Sequence, residues 1–136
     1  MAVHLSRDLL DQIIGHAAQT PEREVCGLLT GTAERIEFAI AADNVAAEPA
    51  RRFEIDPAVH FAAIRRARAG GPQVMGHYHS HPNGLAEPSA CDAAAAAGPP
   101  ALWLLVAEKR VTAWRSGVAE GLHGCFAPVA LVIENG

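Results

Sequence analysis

Between Gly76 and Asp92 the chain crowds the imidazoles of His77, His79 and His81, the Ser89 hydroxyl, the Cys91 thiol and the Asp92 carboxylate into one short stretch. Nitrogen and carboxylate donors gathered this closely suit a divalent metal, zinc above all. Side chains two apart on a strand share a face and lie about 7 Å apart along it, so His79 and His81 can lean toward one ion. His77 has the same parity, and spacing alone leaves open which two of the three bind. Pro82 has no N–H, so the strand pairing is expected to stop just after His81.

Pro88-Ser89-Ala90-Cys91-Asp92 opens an alanine-rich run that reads as a helix over Ala93–Ala97. With Ser89 as its N-cap, Asp92 falls at the end of the first turn, where the helix dipole favours a carboxylate. Taken alone, Ser-x-x-Asp is a helix cap. Beside His-x-His it gains a second reading: two imidazoles from a strand and one carboxylate from the next helix make three ligands, leaving the fourth position of a tetrahedral zinc ion to water. Neighbours in a helix point about 100° apart, so Cys91 does not reach the same ion as Asp92 and reads as a packing thiol. Cys26 reads as a buried one.

These residues carry a resemblance. His79-Ser80-His81-Pro82, followed by Ser89-x-x-Asp92, resembles the signature of the JAMM, or MPN-plus, metallopeptidases. That pattern also asks for an upstream glutamate just before a buried strand, and Pro21-Glu22-Arg23-Glu24-Val25-Cys26-Gly27-Leu28-Leu29 places Glu24 there. Phe53-Glu54-Ile55-Asp56-Pro57 and Gly76-His77-Tyr78 are further family-like phrases. The resemblance implies one zinc ion per chain, held by His79, His81 and Asp92, with His77 behind them. Zinc lowers the pKa of a bound water to about 7, which supplies the nucleophile that amide hydrolysis needs near neutral pH. Glu24 then moves the proton from that water to the leaving amine, and Ser89 donates to the oxyanion.

At 136 residues, half of them apolar, the chain is expected to form a single domain over 1–136. Its net charge is -4, and Arg65-Arg66-x-Arg68 is its largest basic cluster, so nucleic acid is not an expected partner. The three cysteines, Cys26, Cys91 and Cys125, are odd in number and widely spaced, which fits a reducing compartment. With no signal-like start and no apolar run of the roughly 20 residues a span needs, a soluble cytoplasmic protein without membrane contact is expected.

The elements that must position the site read as follows. Ser6 caps a first helix whose Leu9, Leu10, Ile13, Ile14, Ala17 and Ala18 recur at helical spacing up to Gln19. Val25–Thr30 is a strand covered on both sides, with Glu24 at its entrance. Arg35–Ile40 alternates as a half-exposed partner strand across a Gly31-Thr32-Ala33 turn. Asp43 to Arg52 is a loop, Phe53-Glu54-Ile55 a brief strand, and Asp56-Pro57 caps a second helix. Its Val59, Ala62, Ala63 and Ile64 face inward, its arginines outward. After the strand with the histidines and the alanine helix come a buried strand over Ala101–Ala107, a hairpin partner over Val111–Arg115, and an edge or near-edge strand over Ala127–Ile133. Trp103 and Trp114 read as core or sheet-covering aromatics. His4 and His16 read as isolated histidines, and His123 with Cys125 as a ligand pair that nothing completes. The pattern is an α/β domain around a single mixed β-sheet flanked by helices, which the JAMM resemblance also implies, an architecture similar to that of cytidine deaminases.

The resemblance further implies a peptide or isopeptide bond after the Gly-Gly C-terminus of a ubiquitin-like or sulfur-carrier protein as substrate, its tail bound by strand addition to an exposed strand beside the site. Two other readings use different parts of the same pattern. A catalytically inactive MPN-type scaffold predicts a broken ligand set, and all five positions are intact. A zinc deaminase asks for His-x-Glu and Pro-Cys-x-x-Cys, neither of which occurs. Oligomeric state is not encoded in these signals.

Overall fold

A computed structural model describes residues 2–32, 34–96 and 98–135. The chain runs β1 (Ala2–Ser6), α1 (Arg7–Gln19), β2 (Cys26–Thr32), β3 (Arg35–Ala42), α2 (Pro57–Arg68), β4 (Gln73–Ser80), α3 (Ala90–Ala95), β5 (Leu102–Ala107), β6 (Arg110–Arg115) and β7 (Ala127–Glu134). The strands form one mixed sheet in the order β1-β3-β2-β4-β5-β6-β7, curled until its ends meet. The β4–β5, β1–β3 and β1–β7 pairs are parallel and the others antiparallel. The turn expected over Gly31-Thr32-Ala33 and the helix expected over Ala93–Ala97 each include a residue, Ala33 and Ala97, outside the described ones; Gly31 and Thr32 belong to β2.

Three expectations are corrected. Ala2–Ser6 is a strand that the sequence reading lacked, pairing with β7 from Ala2↔Ala130 to Ser6↔Glu134. Because β1 covers its far side, β7 is an interior strand and not an edge. Phe53-Glu54-Ile55 forms no strand; only an isolated bridge joins Ile55 to Asn44. The sheet closes through one ladder pair, His4 with Arg35. Among the described residues β3 beyond that point has β2 alone beside it.

Local chemistry explains the helices. The Ser6 hydroxyl accepts Leu9 N–H at 3.1 Å, and Asp56 Oδ1 accepts Ala58 N–H at 3.0 Å ahead of Pro57, so both caps stand where the sequence put them. α1 buries Leu9, Leu10, Ile13 and Ala17 against Val3, Leu5, Leu29, Tyr78, Leu102 and Leu104. On the other face of β4 and β5 a smaller cluster joins Trp103, Leu105 and Phe126, with Phe53 and Trp114 packed against it. Tyr78 therefore faces α1, while His77 and His79 face Phe53 and Trp103. Gly27 is required where it stands, since a Cβ there would lie 2.3 Å from the Tyr78 ring. No described helix is long and apolar enough to cross a membrane. The three cysteines are free.

Candidate metal centre

The antiparallel register of β2 on β4 decides where Glu24 goes. Cys26 opposes His79, and the pairing continues past the strand end because Ser80 N–H donates to the Val25 carbonyl at 3.0 Å. One residue further along each chain, Glu24 stands opposite His81. The Ser80 hydroxyl takes the place of a ladder carbonyl, accepting Val25 N–H at 2.9 Å. On its other side, β4 is parallel to β5, and His81 N–H donates to the Val106 carbonyl at 2.8 Å, so pairing ends at His81, just before Pro82.

The His79 and His81 Nε2 atoms lie 3.0 Å apart. Asp92, in the first turn of α3, places Oδ2 at 3.0 Å from His81 Nε2 and Oδ1 at 3.2 Å from His79 Nε2. Capping and convergence coexist in one residue. Ser89 N–H donates to Asp92 Oδ2 at 2.9 Å and Asp92 N–H donates to Ser89 Oγ at 3.0 Å, a reciprocal capping box that aims the carboxylate. Glu24 completes a group whose ligand atoms all lie within 4.8 Å of one another, and its Oε1 has no hydrogen-bond partner. All four are buried: His79 is 0 % exposed, Asp92 4 %, Glu24 5 % and His81 6 %.

Such a set fits a divalent cation. Ligand atoms at 2.0–2.1 Å from a tetrahedral zinc stand about 3.3 Å apart. The Nε2–Nε2 separation of 3.0 Å, and the approaches of His81 to Oδ2 at 3.0 Å and of His79 to Oδ1 at 3.2 Å, come close to that. Lone pairs of two imidazoles and a carboxylate pointing at one buried spot repel one another unless a positive charge sits between them. The surroundings orient the rings. His81 Nδ1–H donates to the Leu85 carbonyl at 2.9 Å, which leaves Nε2 as the lone-pair nitrogen. The His79 ring stacks on Phe53 at 4.1 Å between centroids.

Electrostatics follow the same layout. Burial opposes ionisation of Asp92, yet the imidazoles of His79 and His81 against its two oxygens and the Ser89 N–H together hold its carboxyl well below the usual carboxylate range. Burial, opposed by His81 and reinforced by Asp92, pushes the Glu24 carboxyl up to about 7. His77 stands outside the group. Burial, then the charge of His79, push its pKa down to about 3, and it sits as a neutral ring between Phe53 and Trp103.

Glu24, His79, His81, Ser89 and Asp92 are thus brought together. A cleft of about 340 Å³ opens on Glu24, His81 and Ser89, walled further by Arg51, Arg52, Pro82 and Cys91. Cys91 therefore lines the cleft instead of packing into the core, and it is not one of the converging groups. Cys26 is buried against the Ala42 and Asp43 carbonyls, at 3.8 Å from each. His123 and Cys125 form no ligand pair: His123 Nε2 donates to the Pro88 carbonyl at 3.1 Å, and Cys125 packs near Phe126. Ser80, Leu85, Phe53 and Asn44 shape the site without having been singled out. The only local signal for Phe53 and Ser80 was their place inside the family-like phrases, and for Leu85 its nearness to one.

Comparison with known proteins bears on the family. Residues 6–117 match Prok-JAB, the prokaryotic homologs of the JAB domain. The chain is 36% identical over 116 residues to the desampylase of Haloferax volcanii, covering 80% of this chain and 84% of that protein. It is 30% identical over 92 residues to a probable TtuB-protein conjugate cleaving protease of Thermus thermophilus, covering 68% of this chain and 62% of that one. A solution structure from Desulfitobacterium hafniense superposes with a TM-score of 0.82 at 23% identity, covering 100% of this chain and 94% of the other. A JAB1/MPN domain protein from Archaeoglobus fulgidus superposes at 0.56 with 19% identity, covering 96% and 98%. By the match over residues 6–117 and the extent of its curated relatives, this chain belongs to the prokaryotic homologs of the JAB domain.

Proposed function

We propose that this protein is a metal-dependent hydrolase that cuts the peptide or isopeptide bond following the Gly-Gly C-terminus of a ubiquitin-like or sulfur-carrier protein. The observation that carries the reading is the convergence of His79, His81 and Asp92 within 3.2 Å of one another, with the unpartnered Glu24 carboxylate beside them. The names of the Haloferax and Thermus relatives, a desampylase and a conjugate cleaving protease, support the substrate class.

His79, His81 and Asp92 would hold the cation, zinc by the chemistry of this donor set, at one per chain. When bound, it polarises the scissile carbonyl and lowers the pKa of a coordinated water to about 7. Glu24, with a carboxylate oxygen within 4.8 Å of the ligand atoms, would accept the proton of the attacking water and return it to the leaving nitrogen. The oxygen of Ser89 accepts Asp92 N–H, which leaves its own proton free to donate to the oxyanion. The outer edge of β3 ends at Ala42, next to Cys26 and so close to Glu24, and it offers backbone groups to an extended tail. The cytoplasm, where the three free thiols persist, suits this role.

The test is cleavage of β-grasp carriers extended past Gly-Gly, as linear fusions and as lysine conjugates, by zinc-loaded protein and by Glu24→Gln. The wild type should cleave, and Glu24→Gln should keep its zinc while losing at least about 10²-fold in kcat. Failure of the loaded wild type on every such carrier would refute the substrate class, and a fully active Glu24→Gln would refute the role of Glu24.

A further inference from the structure

Glu24 lies just ahead of β2, so the ladder alone does not fix it. Its two peptide groups are held instead by the loop between β3 and α2. Glu24 N–H donates to the Pro49 carbonyl at 2.7 Å, and the Glu24 carbonyl accepts from Asn44 Nδ2 at 2.8 Å. The second Nδ2 proton goes to the Arg52 carbonyl at 3.0 Å. Asn44 Oδ1 accepts the N–H groups of Ala46 and Glu54, each at 3.0 Å. Both donors and both acceptor sites of one carboxamide are therefore used, all on backbone groups. Asn44 is anchored in turn by its bridge to Ile55 and by Val45 N–H donating to the Glu54 carbonyl at 2.9 Å.

The loop that this amide gathers also sets Arg51 and Arg52 in the cleft wall and Phe53 on the His79 ring. We propose that Asn44 is a positioning residue, which locks the Glu24 backbone to the cleft-lining loop and so sets where the Glu24 carboxylate stands relative to the ligand set. The proposal rests on the reading of Glu24 as the proton-transferring group. Asn44 is not one of the converging ligand groups, so its loss should move Glu24 and spare the metal. Misplacement of a reacting group by about 1 Å can cost on the order of 10²-fold in rate.

The experiment uses the full chain with Asn44→Ala and Asn44→Asp, and zinc alone as the binding probe. Asn44→Asp keeps an acceptor for Ala46 and Glu54 but loses both donors, so it serves even where Asn44→Ala fails to fold. Both variants should bind one zinc with affinity within about threefold of wild type. By NMR hydrogen exchange the Glu24 amide should exchange at least about tenfold faster. On a Gly-Gly conjugate, kcat should fall by roughly 10-fold to 100-fold with KM nearly unchanged. In the Glu24→Gln background the same changes should cost less than about twofold more, because both act through one group. Unchanged Glu24 exchange and unchanged kcat in the zinc-loaded variants, or losses that multiply in the Glu24→Gln background, would overturn the proposal. If the zinc-loaded wild type cleaves nothing, the proposed function fails, and the exchange rate of the Glu24 amide still decides whether Asn44 anchors it.

Discussion

Replacing Ser80 with alanine should separate stability from positioning in a way that a second serine controls. Ser80 N–H donates to the Val25 carbonyl at 3.0 Å and its hydroxyl accepts Val25 N–H at 2.9 Å. Ser116 makes the same pair with Ala101, its N–H on the Ala101 carbonyl at 3.0 Å and its hydroxyl accepting Ala101 N–H at 3.0 Å. Both serines are buried, at 7 % and 3 % exposure. Serine to alanine removes an oxygen without opening a sizeable cavity, so the cost is that of stranding one backbone N–H, about 1–3 kcal/mol. For a chain of this length about 2 kcal/mol corresponds to a drop of roughly 6–10 °C in Tm.

Urea and thermal unfolding in chelator, which removes any contribution from bound metal, should give similar losses for Ser80→Ala and Ser116→Ala. The slope of free energy on urea should stay unchanged. Activity should not match. Val25 is the residue next to Glu24, so Ser80→Ala should reduce kcat of folded, metal-loaded protein by about tenfold or more. Ser116→Ala should leave it at the wild-type value. A Ser80→Ala protein within about 0.3 kcal/mol of wild type would show that Val25 N–H does not depend on the hydroxyl. Equal activity in the two variants would refute the link from Ser80 to Glu24.

Two further predictions concern residues around this core. Ser89→Ala should keep the metal, lose on the order of 10²–10³ in turnover and lose about 1 kcal/mol of stability with the cap; Ser89→Gly should show the same turnover loss with only a few tenths of the stability loss, since glycine caps nearly as well. Burial lowers the pKa of His16, whose Nδ1 meets the Tyr78 hydroxyl at 2.7 Å. The unfolded chain then binds a proton near pH 6 that the folded protein resists. Stability present above about pH 6.5 should fall as pH drops through that value, and His16→Gln should make this part of a stability-against-pH curve shallower, leaving the larger slope that buried His77 contributes.

How far the sequence could be read differs by residue, for physical reasons. The three histidines, Asp92 and Ser89 were legible because strand parity and helix capping are local rules, and the capping box appears as the pattern demands; parity left His77 as eligible as His79 and His81, and only the resemblance chose between them. Glu24 was legible only through resemblance, since its approach to His81 depends on the register of β2 on β4. Ser80 was hidden by alternation: between two histidines that face the site it reads as a spacer, and its bond is to a backbone group of position 25. Asn44 sits in a stretch without periodicity, and its four partners are all backbone atoms, which leave no trace in residue type. β1 was missed because five residues that end on a strong helix cap, Ser6, carry too short an alternation to stand out. Without it the closure of the sheet, and the interior place of β7, could not be foreseen.

The central claim is that one cation is held at the point where His79, His81 and Asp92 meet. Diffraction from zinc-loaded crystals at energies above and below the zinc absorption edge tests it without reference to substrate. The account predicts one anomalous peak per chain, about 2.0–2.2 Å from the Nε2 atoms of His79 and His81 and from an Asp92 carboxylate oxygen, and absent in Asp92→Ala. A peak at other residues, or none at this site in fully loaded protein, would contradict it.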